Sequence, residues 1–186
     1  EHLGLSRSPV SDALARLSAE GLVEIVPQSG TRVSRLSMVA IREDTFLREA
    51  LECAAAAHAA MHRSEEAVAR MARNLEMQKM LIAAEDREEF FETDKAFHEL
   101  IMGTTGVTRL PGVLRALSPH INRARLLMAP EPGRLAETVE EHFEILAAIQ
   151  ARDANAARQA MSRHVRALLK WLEPLKFERP DFFQTQ

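Results

Sequence analysis

The stretch Asp94-Lys95-Ala96-Phe97-His98 lies inside a long helical pattern near the middle of the chain. Residues four positions apart stack on one face of an α-helix, so Asp94 and His98 point the same way and can hold one ion. His142 and His164 each lie in a later amphipathic segment that we expect to pack against this helix. One carboxylate and three imidazoles from three helices would form a buried metal site. The Asp-x-x-x-His pair alone is common on exposed helices, so the prediction depends on the other two histidines and on the pattern of the N-terminal stretch.

The composition favours a helical protein of one large or two small domains. The chain has 186 residues, of which 46% are hydrophobic and only 5% aromatic, and its many Ala, Leu, Glu, Arg and Met residues are good helix formers. The net charge of −3 excludes a polybasic nucleic-acid binder. The single cysteine, Cys53, excludes an internal disulfide and fits a reducing cytoplasm. No apolar run approaches the roughly 18 residues that span a bilayer, so we expect a cytoplasmic protein without a membrane segment.

Residues 1–36 have the order of a winged helix-turn-helix. Apolar residues recur at helical spacing between positions 10 and 17, and Gly21 is suited to end that helix. Two short strands follow at 22–26 and 31–33, joined by a turn that contains Gly30. The sequence begins without Met, and we expect it to start partway into this domain.

Four stretches of this segment carry a specific pattern: Leu5-Ser6-Arg7-Ser8-Pro9-Val10, Ala13-Leu14-Ala15-Arg16-Leu17, Glu20-Gly21-Leu22-Val23 and Gly30-Thr31-Arg32-Val33. Together they resemble the DNA-binding domain of the GntR family of bacterial transcription regulators. The resemblance implies that the first helix and part of the second are missing from this chain. A family member would usually carry Arg-Glu where this chain has Ser11-Asp12, so the recognition helix has one basic residue fewer. The residues that it implies in DNA binding are Arg7, Ser8, Ser11, Arg16, Gly30 and Arg32. The alternative is a small α/β cap with no DNA role.

From residue 37 onwards the pattern is all helical. It predicts six helices, roughly at 39–62, 64–84, 87–102, 109–128, 135–151 and 153–173. Ser64 and Asp153 are placed to cap helix starts, and Gly103 ends the third of these helices. Pro174 and Pro180 are expected to end helical structure before a short tail.

The helical part carries further stretches of a specific pattern. They are Leu47-Arg48-Glu49-Ala50-Leu51-Glu52, the stretch from Asp94 to His98, Glu141-His142-Phe143-Glu144-Ile145-Leu146-Ala147-Ala148-Ile149, and Ala157 through Met161 to His164. They resemble the effector-binding C-terminal domain, called FCD, of the FadR-type GntR regulators. The resemblance implies a mainly α fold, with a partial winged helix-turn-helix at residues 1–36 and an all-α six-helix effector-binding bundle at 37–186. One departure is Val107-Thr108, where the family commonly has Asn-Pro.

The resemblance also implies a metal site. Metal-binding members of the family use an Asp, the His four residues later and one His from each of the last two helices. In this chain those positions are Asp94, His98, His142 and His164. A carboxylate and neutral imidazoles suit Zn²⁺, Ni²⁺, Mn²⁺ or Co²⁺. The alternative is that these histidines are core residues bonded to the backbone.

Three arginines are candidates for binding an acidic effector: Arg48, Arg123 and Arg125. Arginine binds carboxylates through a bidentate fork, and members of the family commonly sense small organic acids. An acid could therefore bridge arginine and metal. The alternative is that these side chains face solvent or pair with Glu49 and Glu52.

These patterns together indicate a ligand-responsive transcription regulator, not an enzyme. Its expected partners are operator DNA, a small organic carboxylate and a second copy of the chain, since two-fold symmetric operators require a homodimer. Two alternatives stay open. One is a metal-dependent hydrolase that uses the same Asp and histidines to activate water; the other is a metal sensor in which the ion itself is the signal. The other histidines, His2, His58, His62 and His120, are expected to be ordinary surface or core residues.

Overall fold

The computed structural model describes residues 6–184, apart from the side chain of Ser118. A helix and a hairpin precede six long helices and a final 3-10 turn. The elements are α1 (Arg7–Ala19), β1 (Val23–Val26), β2 (Gly30–Val33), α2 (Met38–His62), α3 (Glu65–Ala83), α4 (Arg87–Gly103), α5 (Leu110–Met128), α6 (Arg134–Gln150), α7 (Ala154–Glu178) and the 3-10 turn (Pro180–Phe182). The predicted fold class, mainly α with a small winged segment before a six-helix bundle, is confirmed.

The N-terminal segment has the predicted order of helix and hairpin. Gly21 ends α1 with φ +70°, a left-handed conformation that costs glycine little. Strands β1 and β2 pair antiparallel, with Val23 opposite Val33 and Val26 opposite Gly30. The predicted strand bounds differ from the observed ones by a single residue.

Helix α2 is the centre of the bundle, because it packs against α4, α5, α6 and α7. Four small residues on its second half, Ala55, Ala56, Ala59 and Ala60, are fully buried. Small side chains let neighbouring helices approach closely, and the large residues of the core then come from those neighbours. None of the helices within residues 6–184 has both the length and the apolar character that crossing a membrane requires.

The helices α3 and α7 begin at side-chain caps. The Ser64 hydroxyl accepts a hydrogen bond from Ala67 N–H, and the Asp153 carboxylate accepts from the N–H groups of Asn155 and Ala156. Each cap satisfies amide groups that have no partner within the helix. Both predicted caps are confirmed.

The prediction that Pro174 ends the last helix is wrong. Helix α7 continues through Pro174 to Glu178. Leu172 and Leu175 are both buried in a cluster of apolar residues near the end of the chain. Burial of two leucines stabilises by an amount comparable to the roughly 3 kcal/mol that a proline inside a helix costs, so tertiary packing outweighs the local preference.

Candidate metal centre

Three of the predicted ligands, His98, His142 and His164, meet in the middle of the bundle. They come from α4, α6 and α7, and all three are buried. The His164 Nε2 atom lies 3.3 Å from His142 Nε2 and 3.3 Å from His98 Nε2. Within residues 6–184, this is the one group of three or more potential ligand side chains whose atoms can reach a common metal ion.

The opposite ring nitrogen of each histidine faces an acceptor outside the cluster. The three pairs are His142 Nδ1 with Gln78 Oε1 at 2.9 Å, His164 Nδ1 with Glu141 Oε2 at 2.8 Å, and His98 Nδ1 with Glu52 Oε2 at 2.5 Å. The last pair is in close contact without the alignment of a good hydrogen bond. Metal-binding histidines characteristically donate their second N–H to such a partner.

A chain of amide hydrogen bonds fixes the orientation of Gln78. Its Nε2 group donates to Asn74 Oδ1 at 2.8 Å, and the Asn74 amide in turn donates to the Thr93 carbonyl at 3.0 Å. Gln78 Oε1 is therefore the atom that faces His142, so this hydrogen-bond network assigns the proton to His142 Nδ1. The Nε2 lone pair of His142 is left pointing at the other two imidazoles.

Asp94 lies at the edge of the three histidines. Its Oδ1 atom is 3.6 Å from His142 Nε2, and its Oδ2 atom is 2.5 Å from Arg125 Nη1. Burial raises the pKa of this carboxyl group, but Arg125 and the neighbouring histidines outweigh that effect and hold the pKa well below its usual range. Asp94 is thus a buried carboxylate with one oxygen held by Arg125 and the other near the imidazoles.

Burial lowers the pKa of His142 and of His164 well below 6.5; proximity to His164 and His98 adds to the shift of His142, and proximity to His98 adds to the shift of His164. Both rings are therefore neutral at pH 7, the form in which imidazole binds metals. Neutral imidazoles beside a carboxylate are a ligand set that suits divalent ions such as Zn²⁺, Ni²⁺ and Mn²⁺. The residues present thus fit a metal ion.

Arg48 pairs with Glu52 and not with Glu49. Arg48 Nε lies 2.7 Å from Glu52 Oε1, and both side chains are buried. Burial raises the pKa of Glu52, but Arg48 and His98 outweigh it and hold the pKa well below its usual range. Glu49 instead accepts from Ser162 and Arg166.

Arg125 lines two small cavities next to the histidines. One, of about 30 Å³, is lined by Asp94, His164 and the arginines Arg48 and Arg134 as well as by apolar residues. The other, of about 40 Å³, borders His98. Each has room for about one water molecule, so a larger ligand requires side chains to move.

Arg123 lines neither of these cavities. Its guanidinium group donates a hydrogen bond to the Ser34 carbonyl, on the segment between β2 and α2. Arg125 and Arg123 are therefore two residues apart on α5 but contact different parts of the molecule. Neither arginine is fully exposed to solvent.

The six residues implied in DNA binding lie on one exposed segment. Arg7, Ser8, Ser11 and Arg16 are exposed on α1, and Gly30 and Arg32 are exposed on the hairpin. Arg32 Nε donates to Glu24 Oε2 at 2.8 Å across the two strands. An exposed pair of this kind is easily exchanged for another anion.

Sequence reasoning did not identify Gln78, Glu141 or Arg134 as part of this site. Glu141 directly precedes a ligand candidate and Arg134 lies two helical turns before it, so spacing on α6 could have suggested both. Gln78 is on a different helix, and no local pattern marks it.

Comparison with known proteins identifies the family. Residues 45–167 match the FCD domain, and residues 1–33 match the domain described as bacterial regulatory proteins, gntR family. The chain is 34% identical, over 98% of its length and 77% of the other protein, to a transcriptional regulator from an unstable DNA locus of Streptomyces ambofaciens. It is 29% identical, over 98% of its length and 80% of the other protein, to the transcriptional repressor RspR of Escherichia coli.

Solved structures share the fold. Escherichia coli McbR/YncC superposes with a TM-score of 0.79 at 21% identity, over 92% of this chain and 86% of that one. A GntR regulator from Rhodococcus superposes with a TM-score of 0.74 at 22% identity, over 92% and 83%. Since the curated relatives are transcription regulators, the hydrolase alternative is wrong. The chain belongs to the gntR family of bacterial transcription regulators and carries an FCD domain.

Proposed function

We propose that the chain regulates transcription by binding operator DNA through residues 1–36, and that its helical domain, residues 37–186, binds a divalent metal and a small organic acid. The metal ligands in this proposal are Asp94, His98, His142 and His164. The observation that carries it is the convergence of three Nε2 atoms whose rings have their Nδ1 atoms directed at outer acceptors. Three lone pairs directed at one another are unfavourable unless a cation lies between them.

Charge supports an anion as the second ligand. Among the buried and half-buried groups around the imidazoles, three arginines (Arg48, Arg125 and Arg134) balance three carboxylates (Glu52, Asp94 and Glu141); a second carboxylate on Arg134, that of Glu137, is 43% exposed. A divalent ion added to this balanced and buried set leaves two uncompensated positive charges, which is costly at low dielectric. An organic acid with a carboxylate on the metal and another group facing Arg48 or Arg125 would compensate them.

The metal is tested by elemental analysis and thermal unfolding of the chain with Zn²⁺, Ni²⁺ or Mn²⁺. At a free metal concentration 100-fold above Kd, binding stabilises by about 2.7 kcal/mol, which corresponds to a Tm increase of about 5–10 °C. His164→Ala should lose both the metal and the Tm increase. His62→Ala, which removes an exposed histidine on α2, is the control; equal metal content in the two variants would reject the ligand assignment.

The acid is tested by calorimetry with acetate, succinate and citrate as probes. We expect a di- or tricarboxylate to bind the metal-loaded protein at least about tenfold more tightly than the metal-stripped protein, because the ion supplies the excess positive charge. Equal affinity in both forms would contradict an acid site at the metal. A protein that binds metal, responds to it in operator binding and binds none of the acids would be a metal sensor instead.

DNA binding is tested in the full-length protein with an operator selected from random duplexes. Arg7→Ala and Arg32→Ala should each weaken binding and lower the slope of log K against log salt by about one, because each removes a cation that faces phosphate. Arg73→Ala, on the exposed face of α3, should leave the slope unchanged. The homodimer that a palindromic operator requires should appear in native mass spectrometry.

A further inference from the structure

The last residues of the chain form a short ladder with the segment that joins the hairpin to α2. The Leu36 N–H group donates to the Phe182 carbonyl at 2.8 Å, and the Gln184 N–H group donates to the Leu36 carbonyl at 2.9 Å. Leu36 and Phe183 thereby form a parallel bridge outside the hairpin. This tail, residues 180–184, thus binds the connecting segment, residues 34–37, through the backbone.

Phe183 anchors the tail in the bundle. Its side chain is 2% exposed and lies in an apolar cluster with Leu36, Ile41 and Ile121, among others. The adjacent Phe182 is 43% exposed. Phe182 is the last residue of the 3-10 turn and Phe183 follows it in an extended conformation, and at this change of conformation one phenylalanine is inserted and the other remains outside.

Helix α5 holds the same region of the chain from another direction. Arg123 donates to the Ser34 carbonyl, and Ser34 is itself buried. The His120 ring packs so closely on Gly21 that a Cβ there would be 3.1 Å from His120 Cε1. The N-terminal segment therefore contacts the bundle at defined points around its connection to α2.

The tail and helix α5, which both contact the connecting segment, are also both linked to the candidate metal centre. The tail continues directly from α7, which carries His164, and Arg123 is two residues from Arg125 on α5. We propose that residues 180–184 are an intramolecular clamp that fixes the orientation of the DNA-binding segment relative to the bundle. A shift of α7 at the metal centre then moves the clamp and the connecting segment together. This last step rests on the proposed function, whereas the clamp itself does not.

Limited proteolysis with trypsin tests the clamp directly. Arg35 is exposed between buried Ser34 and Leu36, and cleavage after it requires the connecting segment to leave its ladder. Phe183→Ala should accelerate cleavage after Arg35 at least about tenfold, because local opening governs proteolysis of folded proteins. Phe182→Ala, one residue away and exposed, should change the rate less than about twofold. Equal rates in the two folded variants would overturn the proposal.

Amide hydrogen exchange of the unaltered chain gives a test that needs no variant. The Leu36 amide should exchange at least about 100-fold more slowly than the amide of the exposed residue Arg35, because the Leu36 N–H group is donated to the tail. A Leu36 amide that exchanges like an unprotected one would overturn the clamp even if Phe183→Ala proved unstable.

Coupling is tested in the full-length protein with the selected operator and with citrate as the probe acid. Phe183→Ala should change the affinity for citrate by less than about twofold. It should also weaken the effect of citrate on operator affinity: the logarithm of the fold-change should be at most about half of its value in the unaltered protein. Unchanged coupling in a variant whose clamp is open would overturn the transmission step. Absence of any citrate effect in the unaltered protein would refute the choice of acid, while the proteolysis and exchange results would still decide the clamp.

Discussion

Replacement of Gln78 by leucine isolates the role of a residue that could not itself bind the metal. The side chain is fully buried, and its carbonyl oxygen is the hydrogen-bond partner that the structure gives to His142 Nδ1. Leucine has a similar volume but no acceptor. The variant therefore leaves the His142 N–H unpaired in the core, at a cost of about 1–3 kcal/mol, or lets the ring take the tautomer with its proton on Nε2.

Either outcome weakens metal binding. A ring protonated at Nε2 directs a hydrogen instead of a lone pair at His164, 3.3 Å away, and cannot serve as a ligand without reverting to the costly tautomer. Loss of such an outer hydrogen bond typically lowers metal affinity 10- to 100-fold, which corresponds to about 1.4–2.7 kcal/mol. Gln78→Glu keeps an acceptor at the same position and should retain most of the affinity.

The assay is a competitive titration of Zn²⁺ against a chromophoric chelator, with circular dichroism to establish that each variant is folded. Gln159→Leu, which replaces an exposed glutamine on α7, is the matched control for the substitution itself. A zinc affinity within about twofold of the unaltered chain in folded Gln78→Leu would refute the reasoning, because the orientation of His142 would then not depend on Gln78.

Three other predictions concern the same core. Burial lowers the folded-state pKa of His142 and His164, so around pH 6.5 and below the unfolded chain binds more protons than the folded chain. Urea titrations of the metal-free protein should therefore show the free energy of unfolding falling by about 3 kcal/mol between pH 7.5 and 5.5. Glu52→Ala leaves Arg48 buried without its partner and should lower the free energy of unfolding by about 3–5 kcal/mol, also measured in urea. Burial and nearby carboxylates raise the pKa of Cys53 to about 11, so at pH 8 a disulfide reagent should react about 100-fold more slowly with the folded than with the unfolded chain.

The sequence predicts the helices well because their signals are local. The caps at Ser64 and Asp153 each act within three residues, and the apolar periodicity of each helix is visible in one segment. The error at Pro174 arises instead from packing against residues that are distant in sequence. Its neighbours Leu172 and Leu175 are buried against parts of the chain more than 40 residues away, such as Ile121 and Met128, and no local rule includes that contribution.

The candidate site likewise combines residues that a local pattern predicts with residues that only long-range packing brings together. The pair Asp94 and His98 follows from helical spacing, and both side chains are buried on one face of α4. His142 and His164 were expected near this helix from the amphipathic pattern of their segments, and the family resemblance then marked them as ligands. Gln78 lies 64 positions from the ring that it orients, so only the packing of α3 against α6 places it there.

A role in stability alone does not explain this cluster. Ion pairs such as Arg48–Glu52 and Arg125–Asp94 are removed from water, and buried pairs of this kind are often no more stabilising than apolar residues of the same volume. The bundle already has an extensive apolar core around Met71, Leu75 and Phe97, so further apolar packing was available to it. A ligand changes this balance, because a bound ion stabilises the folded state in proportion to the logarithm of its concentration. With the proposed metal bound, the polar centre would therefore make the stability of helices α4, α6 and α7 depend on the ion, a dependence that a purely apolar core would lack.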